Sequence, residues 1–361
     1  MSDAMPRRRT LVVELDGRGH RFYLVRVVVE AALARGDSVT LLTKDHPETR
    51  EHLLVHLGHL LESVELQEVV DPTWSNVERT ADAVGATTTV VPEADGYLAA
   101  LLRRRGWRGP GGLSLLIMRA QVPRAGGLVR WALRNALKVV IMSLIALLPR
   151  VRFRVLRSPL WRGRSVWGPA YDPVGLTSTP EEVEKLRSDW TLHGDHYWFG
   201  VLGALTPNKN LPMVVAAVCR VAQQDRVALL VAGKMSEEVE ADLPQLRMQL
   251  DRAGVETRIV NRVLHDVELD AALTAVDCLV LAYGHHGPSG TLGKAMAAGT
   301  RIVAAGSSVL RQDCDAAPDA AEWCRLEPAQ LTQALLRAAR AGSPAPASLS
   351  GEPEFANELL G

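Results

Sequence analysis

The residues of this chain whose types and spacing could do chemistry gather in two short stretches. One is Gly203-Ala204-Leu205-Thr206-Pro207-Asn208-Lys209-Asn210; the other is His285-His286-Gly287-Pro288-Ser289-Gly290-Thr291, with Lys294 just beyond. Each follows an apolar run of strand length, His196 to Leu202 and Cys278 to Ala282, and each leads into a helix. Glycine, proline and serine at this density make a loop that backbone or ligand approaches closely. A helix beginning with Ser289, Gly290 and Thr291 presents N–H groups and the positive end of its dipole, an anion site suited to phosphate. Lys209 offers a cation from the neighbouring loop. His286 could donate to a hydroxyl or carry positive charge. Together these groups could stabilise the negative charge of a phosphate, a contribution of about 3–4 kcal/mol per well-placed donor where that charge develops in a reaction.

Elements of known period must hold those loops. Cys278 to Ala282 and Val227 to Ala232 are wholly apolar, as expected of parallel strands covered on both faces. Thr291 to Ala298 reads as a helix, Gly299 as its left-handed stop and Ile302 to Ala304 as the next strand. Arg258 to Val260 adds a strand with Asn261 and Arg262 at its end. Thr179, Pro180 and Glu182 have the spacing of a capping box, and a helix from Met235 to Ala253 is expected to break at Pro244.

The beginning of the chain repeats the plan. Thr10 to Leu15 is a strand, Asp16-Gly17-Arg18-Gly19-His20 a loop, Phe22 to Ala34 a helix and Ser38 to Thr43 a second strand. Gly17 and Gly19 match the first two glycines of a dinucleotide fingerprint, but Phe22 holds the third place, which disfavours that ligand. His20 reads either as a polar contact to a ligand or as a helix cap. Asp95 reads as the N-cap of a helix from Tyr97 to Arg105. Leu113 to Met118 is a strand with Arg119 at its carboxyl end, where open α/β sheets collect ligands. The pattern predicts two Rossmann-like, doubly wound domains, 1–170 and 171–340. Gly168-Pro169-Ala170-Tyr171-Asp172-Pro173 forms the break between them, and 341–361 carries a linker and a last helix.

Ala295-Met296-Ala297-Ala298-Gly299-Thr300 and the strand after it resemble the nucleotide-sugar segment of retaining glycosyltransferases with the GT-B fold, the family-4-like group. In that group Glu, seven residues and a second Glu come before Ala-x-Ala-x-Gly; here His286 and Lys294 hold the two places. Gly203 to Asn210 is similar to the second signature, Gly-Arg-Leu-x-x-x-Lys-Gly, whose Arg and Lys hold the donor diphosphate. Lys209 matches the Lys, Ala204 replaces the Arg and Asn210 replaces the Gly. His285 to Thr291 also resembles the His-Gly-Gly-x-Gly-Thr loop of inverting GT-B enzymes.

The resemblance implies two α/β domains facing a central cleft, with the last helix packing back toward the N-terminal one. It puts Gly17, Gly19, His20 and Arg119 on the acceptor side. It puts Gly203, Lys209, Arg262, His286, Pro288, Ser289, Gly290, Thr291 and Lys294 on the donor side, with Lys209 and His286 acting in catalysis. The reaction it implies is metal-independent transfer with retention, from a nucleotide-diphosphate sugar as co-substrate and with no cofactor, the leaving phosphate accepting the acceptor's proton. The acceptor would be a small molecule, a glycan or a lipid-linked sugar. Lys294 cannot accept hydrogen bonds from ribose hydroxyls as the family's Glu does. That leaves open a degenerate GT-B protein serving as partner or scaffold of an active enzyme. Asp313-Cys314-Asp315 spells the Asp-x-Asp of metal-dependent glycosyltransferases, but those have another fold, so no metal is expected there.

At 361 residues two domains are the natural reading, and 41 basic residues balance 41 acidic ones. The balance is not local. From Gly96 to Tyr171 there is no Asp or Glu, while Arg103, Arg104, Arg105, Arg130, Arg134 and further arginines crowd the span. Such a segment attracts phosphate or anionic lipid. Its apolar stretch from Val139 to Leu148, near Trp131, reads as a buried or membrane-lying helix. No nucleic-acid motif accompanies the charge. Cys219, Cys278, Cys314 and Cys324 have neither CxxC nor zinc spacing, as for reduced cytosolic thiols. No run is long enough to span a bilayer. The expected location is the cytoplasm, with a patch for the inner membrane face.

Overall fold

The computed structural model describes residues 8–15, 21–70, 73–119, 122, 127–284 and 289–361. The chain forms two compact units, one of Met1–Arg157, Gly163–Pro173 and Ser350–Gly361, the other of Ser158–Arg162 and Val174–Leu349.

The first unit runs β1 (Arg9–Glu14), α1 (Arg21–Ala34), β2 (Ser38–Lys44), α2 (Pro47–Leu57), β3 (Glu65–Val69), α3 (Trp74–Val84), β4 (Thr88–Val91), α4 (Leu98–Arg103), β5 (Gly112–Ile117), α5 (Leu128–Ala146), β6 (Val151–Arg157) and β7 (Gly168–Tyr171). The strands form one sheet in the order β3-β2-β1-β4-β5-β6-β7, every neighbouring pair parallel. Alternate residues go to opposite faces. Val12, Leu41, Val90 and Leu116 pack with α1, and Leu11, Val13, Leu42 and Leu115 with α3 and α4. Gly168 to Tyr171, expected to be a break, is instead an edge strand on β6. Its Pro169, which has no N–H to give a ladder, is tolerated at an edge.

The second unit contains α6 (Pro180–Asp189), β8 (Tyr197–Leu202), α7 (Leu211–Val221), β9 (Val227–Ala232), α8 (Glu237–Arg252), β10 (Glu256–Val260), α9 (Asp266–Ala275), β11 (Cys278–Ala282), α10 (Gly290–Ala298), β12 (Arg301–Ala305), α11 (Ser308–Ala316), β13 (Ala321–Cys324) and α12 (Pro328–Arg340). Its sheet, β10-β9-β8-β11-β12-β13, is parallel throughout. Both faces are covered, which is why β9 and β11 are apolar at every position. Thr179 and Glu182 close the expected capping box of α6. Pro244 does not break α8. Pro244 and Glu240, whose carbonyl loses its usual partner, are both exposed, so the loss falls on the solvent side.

The last helix, α13 (Glu352–Leu360), belongs to the first unit and buries Phe355, Ala356 and Leu359 against α1. Glu352 fastens its start, accepting from Tyr23 Oη at 2.8 Å and from Arg26 Nη2 at 2.7 Å.

Candidate functional site

In the second sheet the order of strands reverses between β8 and β11. Loops leaving the carboxyl ends of those two strands border the crevice in which open α/β sheets hold ligands. The first chemistry-bearing stretch of the sequence leaves β8; the described part of the second, from Ser289, opens α10 after β11. Hydrogen bonds tie the first to the end of β11. Asn210 adopts the left-handed region (φ 47°, ψ 44°), which its short polar side chain tolerates. Its Nδ2 donates to the carbonyls of Ala282 at 2.8 Å and Asn208 at 3.1 Å, and the Gly284 N–H donates to Asn208 O at 2.9 Å.

Gly203 lies at the centre of the arrangement, at φ +87°. A methyl group there would come 3.6 Å from Lys209 Nζ and 3.9 Å from Thr291 Cγ2, so the ammonium and the first turn of α10 flank one glycine. Gly233 must also lack a side chain, since a Cβ on it would meet the Gly203 carbonyl oxygen at 2.1 Å. Half-buried Lys209 donates to the Leu202 carbonyl and lies 5.8 Å from the centre of the Tyr283 ring. From that ring a chain of hydroxyls runs 3.2 Å to Ser289 Oγ and a further 2.9 Å to Thr291 Oγ1. Ser289 occupies the N-cap of α10 without a side-chain bond to the helix backbone. The second unit thus has Lys209 and the first turn of α10 on either side of Gly203, and the linked hydroxyls of Tyr283, Ser289 and Thr291 at the start of that helix. These groups are chemically suited to an anion.

Other expected site residues stand elsewhere. Lys294 is 1% exposed, and its Nζ lies 2.6 Å from Oδ1 of fully buried Asp270 on α9. The other carboxylate oxygen accepts from the N–H of Thr177 at 2.9 Å and its hydroxyl at 3.0 Å. The expectation that Lys294 serves a donor phosphate is thereby corrected: a buried ammonium needs a carboxylate, and Asp270 supplies it. Arg262, at the end of β10 two strands from the reversal, makes a two-pronged contact with Glu268, Nη1 at 2.6 Å from Oε2 and Nη2 on Oε1. It does not join the cluster. His286 and Pro288 on the donor side, and Gly17, Gly19 and His20 on the acceptor side, lie outside the described residues. Asp313 is buried, with its carboxyl pushed up to about 6 by desolvation, whereas Asp315 is exposed beside Arg311. Burial of one and exposure of the other separate the two carboxylates of Asp-x-Asp.

The first unit has its own reversal, between β1 and β4, and it holds residues that spacing did not single out. Arg21, the first residue of α1, pairs with Glu93 just past β4 and lies 3.7 Å from Glu14, the last residue of β1. Burial raises the Glu93 carboxyl to about 7; Arg21 opposes this, Glu14 and Asp95 add to it, and Arg119 opposes it. Asp95 does not cap α4, which begins at Leu98 with Tyr97 as its N-cap. It accepts instead from Met118 N and Lys138 Nζ, both at 2.7 Å. Arg119 is exposed, and its carbonyl accepts from Lys138 Nζ at 2.5 Å. A carboxylate ending an apolar strand was the available signal for Glu14. For Glu93 there was none, because its neighbour Arg21 is 72 positions away in the chain.

Two parallel, doubly wound α/β units, the second with an anion-ready reversal point, define the fold class of GT-B glycosyltransferases. A glycosyltransferase of Rickettsia africae superposes with a TM-score of 0.66 over 92% of this chain and 88% of that one, at 9% identity. The Anabaena protein HepE, in complex with UDP and glucose, gives 0.59 over 84% and 82%, at 15% identity. The model of the family described as glycosyl transferases group 1 matches residues 196–340, which lie within the second unit. A 2-deoxystreptamine glucosyltransferase of Streptomyces kanamyceticus is 28% identical over 198 residues, 52% of this chain and 47% of that protein. The match spans about half the length of that curated relative.

Proposed function

We infer that this protein is a glycosyltransferase that moves a sugar from a nucleoside-diphosphate donor to an acceptor, without a metal and with retention. The observation that supports this reading is that Lys209 and Thr291, in the first turn of α10, flank Gly203, with Ser289 at the N-cap hydrogen-bonded to Thr291. As the bond from the anomeric carbon to the diphosphate oxygen breaks, its electron pair leaves with the phosphate. Lys209 and the first N–H groups of α10 meet that growing charge, and the phosphate takes the proton of the acceptor hydroxyl whose oxygen forms the new bond. UDP is the favoured donor base, since HepE is seen with UDP and glucose. Arg119 and the Gly17 to His20 loop take the acceptor, which can be a small molecule, a glycan or a lipid-linked sugar. The Streptomyces relative makes 2-deoxystreptamine the first acceptor to try. The four free cysteines agree with a cytoplasmic site, at the inner face of the membrane.

A second reading, a nucleotide-binding scaffold without turnover, is favoured by Lys294, buried on Asp270 where the family resemblance puts a ribose-holding Glu. Calorimetry with UDP and UDP-glucose, followed by transfer to 2-deoxystreptamine monitored by NMR, separates the two. Binding with transfer and an unchanged anomeric configuration supports the first reading, and binding without sugar loss supports the second. Absence of binding by UDP and by other nucleoside diphosphates removes both.

A further inference from the structure

The inner side of α5 is well anchored. Trp131 Nε1 donates to Val122 O at 3.0 Å, Asn135 Oδ1 accepts from Val122 N at 2.7 Å, Lys138 pairs with Asp95, and Met142 and Ile145 are fully buried. Among the described residues nothing covers its outer side. Val129, Leu133, Leu137, Val140, Leu144 and the cap residue Leu147 recur every three or four residues, a single stripe of the helix, and are between 49 and 80% exposed. Half of the exposed large apolar side chains among the described residues lie on this one helix, and Leu147 at its cap adds another. A helix that needed only to cover the sheet would be polar on this face.

The charge around the stripe selects what covers it. Exposed Arg130 and Arg134 border it, and α4, which packs against α5, is followed by exposed Arg105 and Arg108. No Asp or Glu occurs from Gly96 to Tyr171 to offset them. A second copy of the chain would bring Arg130 and Arg134 against their own kind. A surface apolar within and anionic at its face satisfies both features. No described helix is long and apolar enough to cross a membrane, so α5 would lie in the interface.

We propose that α5 is a docking helix for an anionic lipid bilayer, its Val129–Leu147 stripe entering the acyl boundary while Arg130 and Arg134 meet the headgroups. This stands apart from the glycosyl-transfer reading, because vesicle binding requires neither donor nor turnover. The test is co-sedimentation of the full chain with vesicles of phosphatidylcholine alone, or with about one third phosphatidylglycerol. The protein should pellet with the anionic vesicles and be released as salt rises toward ~0.5 M. Leu133→Glu with Leu137→Glu should lower partitioning by at least about tenfold. Arg130→Glu with Arg134→Glu should do so by about tenfold. Circular dichroism and melting temperature should be unchanged in both. Equal pelleting with phosphatidylcholine alone, or leucine variants that bind like the parent, would overturn the proposal. So would a failure to bind either vesicle, whether the chain is then monomeric or a dimer that the leucine variants dissociate.

Discussion

Between β8 and β11 the second unit gathers Lys209, Ser289, Thr291 and the start of a helix; between β1 and β4 the first unit gathers Glu14, Arg21 and Glu93. The sheets are wound alike, and each opens at the place where its strand order reverses. Winding decides where a ligand can approach, and the side chains at the strand ends decide its charge. The second unit's point carries the cation and helix start that we propose meet phosphate. The first unit's point has a carboxyl held near neutrality by burial, a poor neighbour for phosphate and a good one for a hydroxyl group.

The most severe way to probe this contrast is at Lys294, the second unit's buried cation. If it serves the interior and Lys209 serves the anion, Lys294→Ala should destabilise the protein by about 3–5 kcal/mol by leaving Asp270 unpaired. Chemical denaturation would read the loss, and a near-normal midpoint would show that Lys294 is not the interior partner of Asp270.

Next in size is the pH response of the first unit. Because the folded Glu93 carboxyl titrates near 7, above its ordinary value of 4.5, the native state holds more protons than the unfolded chain between those values. Its contribution is therefore fully present below about pH 4.5 and declines as pH rises toward 7, by up to about 3 kcal/mol. Glu93→Gln should remove that slope in melting experiments across the window, and an unchanged slope would place the titration elsewhere.

On the anion side, Lys209→Ala should weaken UDP binding by about 10- to 100-fold, the range of one charge-assisted contact, while the melting temperature of the free protein holds. Undiminished calorimetric affinity would dissolve the contrast between the two points. The smallest effect is expected at exposed Arg262, whose pairing with Glu268 contributes about 0–1 kcal/mol. Arg262→Ala should leave UDP affinity within about twofold, and a large loss would mean that β10 reaches the anion after all.

Much of this could be read in advance. Apolar runs such as Val227 to Ala232, the glycine stop at Gly299 and the Thr179–Glu182 box announce their elements because they act within one strand or one helical turn. Lys209, Ser289 and Thr291 were legible for the same reason, as residues at loop–helix junctions following strands. Lys294 misled because its partner, Asp270, is 24 positions earlier on another helix. Gly168 to Tyr171 misled because turn-forming residues also suit an edge strand. Pro244 misled because its cost depends on whether solvent reaches the released carbonyl.

What the amino-acid order determined by itself was the alternation of strands and helices, their caps, and the residue types at the strand ends. These follow from side-chain period, backbone freedom and local hydrogen bonding. Only the tertiary structure decided that Lys209 and Thr291 flank Gly203, that Lys294 faces inward, that Arg21 meets both Glu14 and Glu93, and that no described residue covers one side of α5. Each of those depends on which distant segments the sheet order brings together, and on the burial that then sets the strength of every charge.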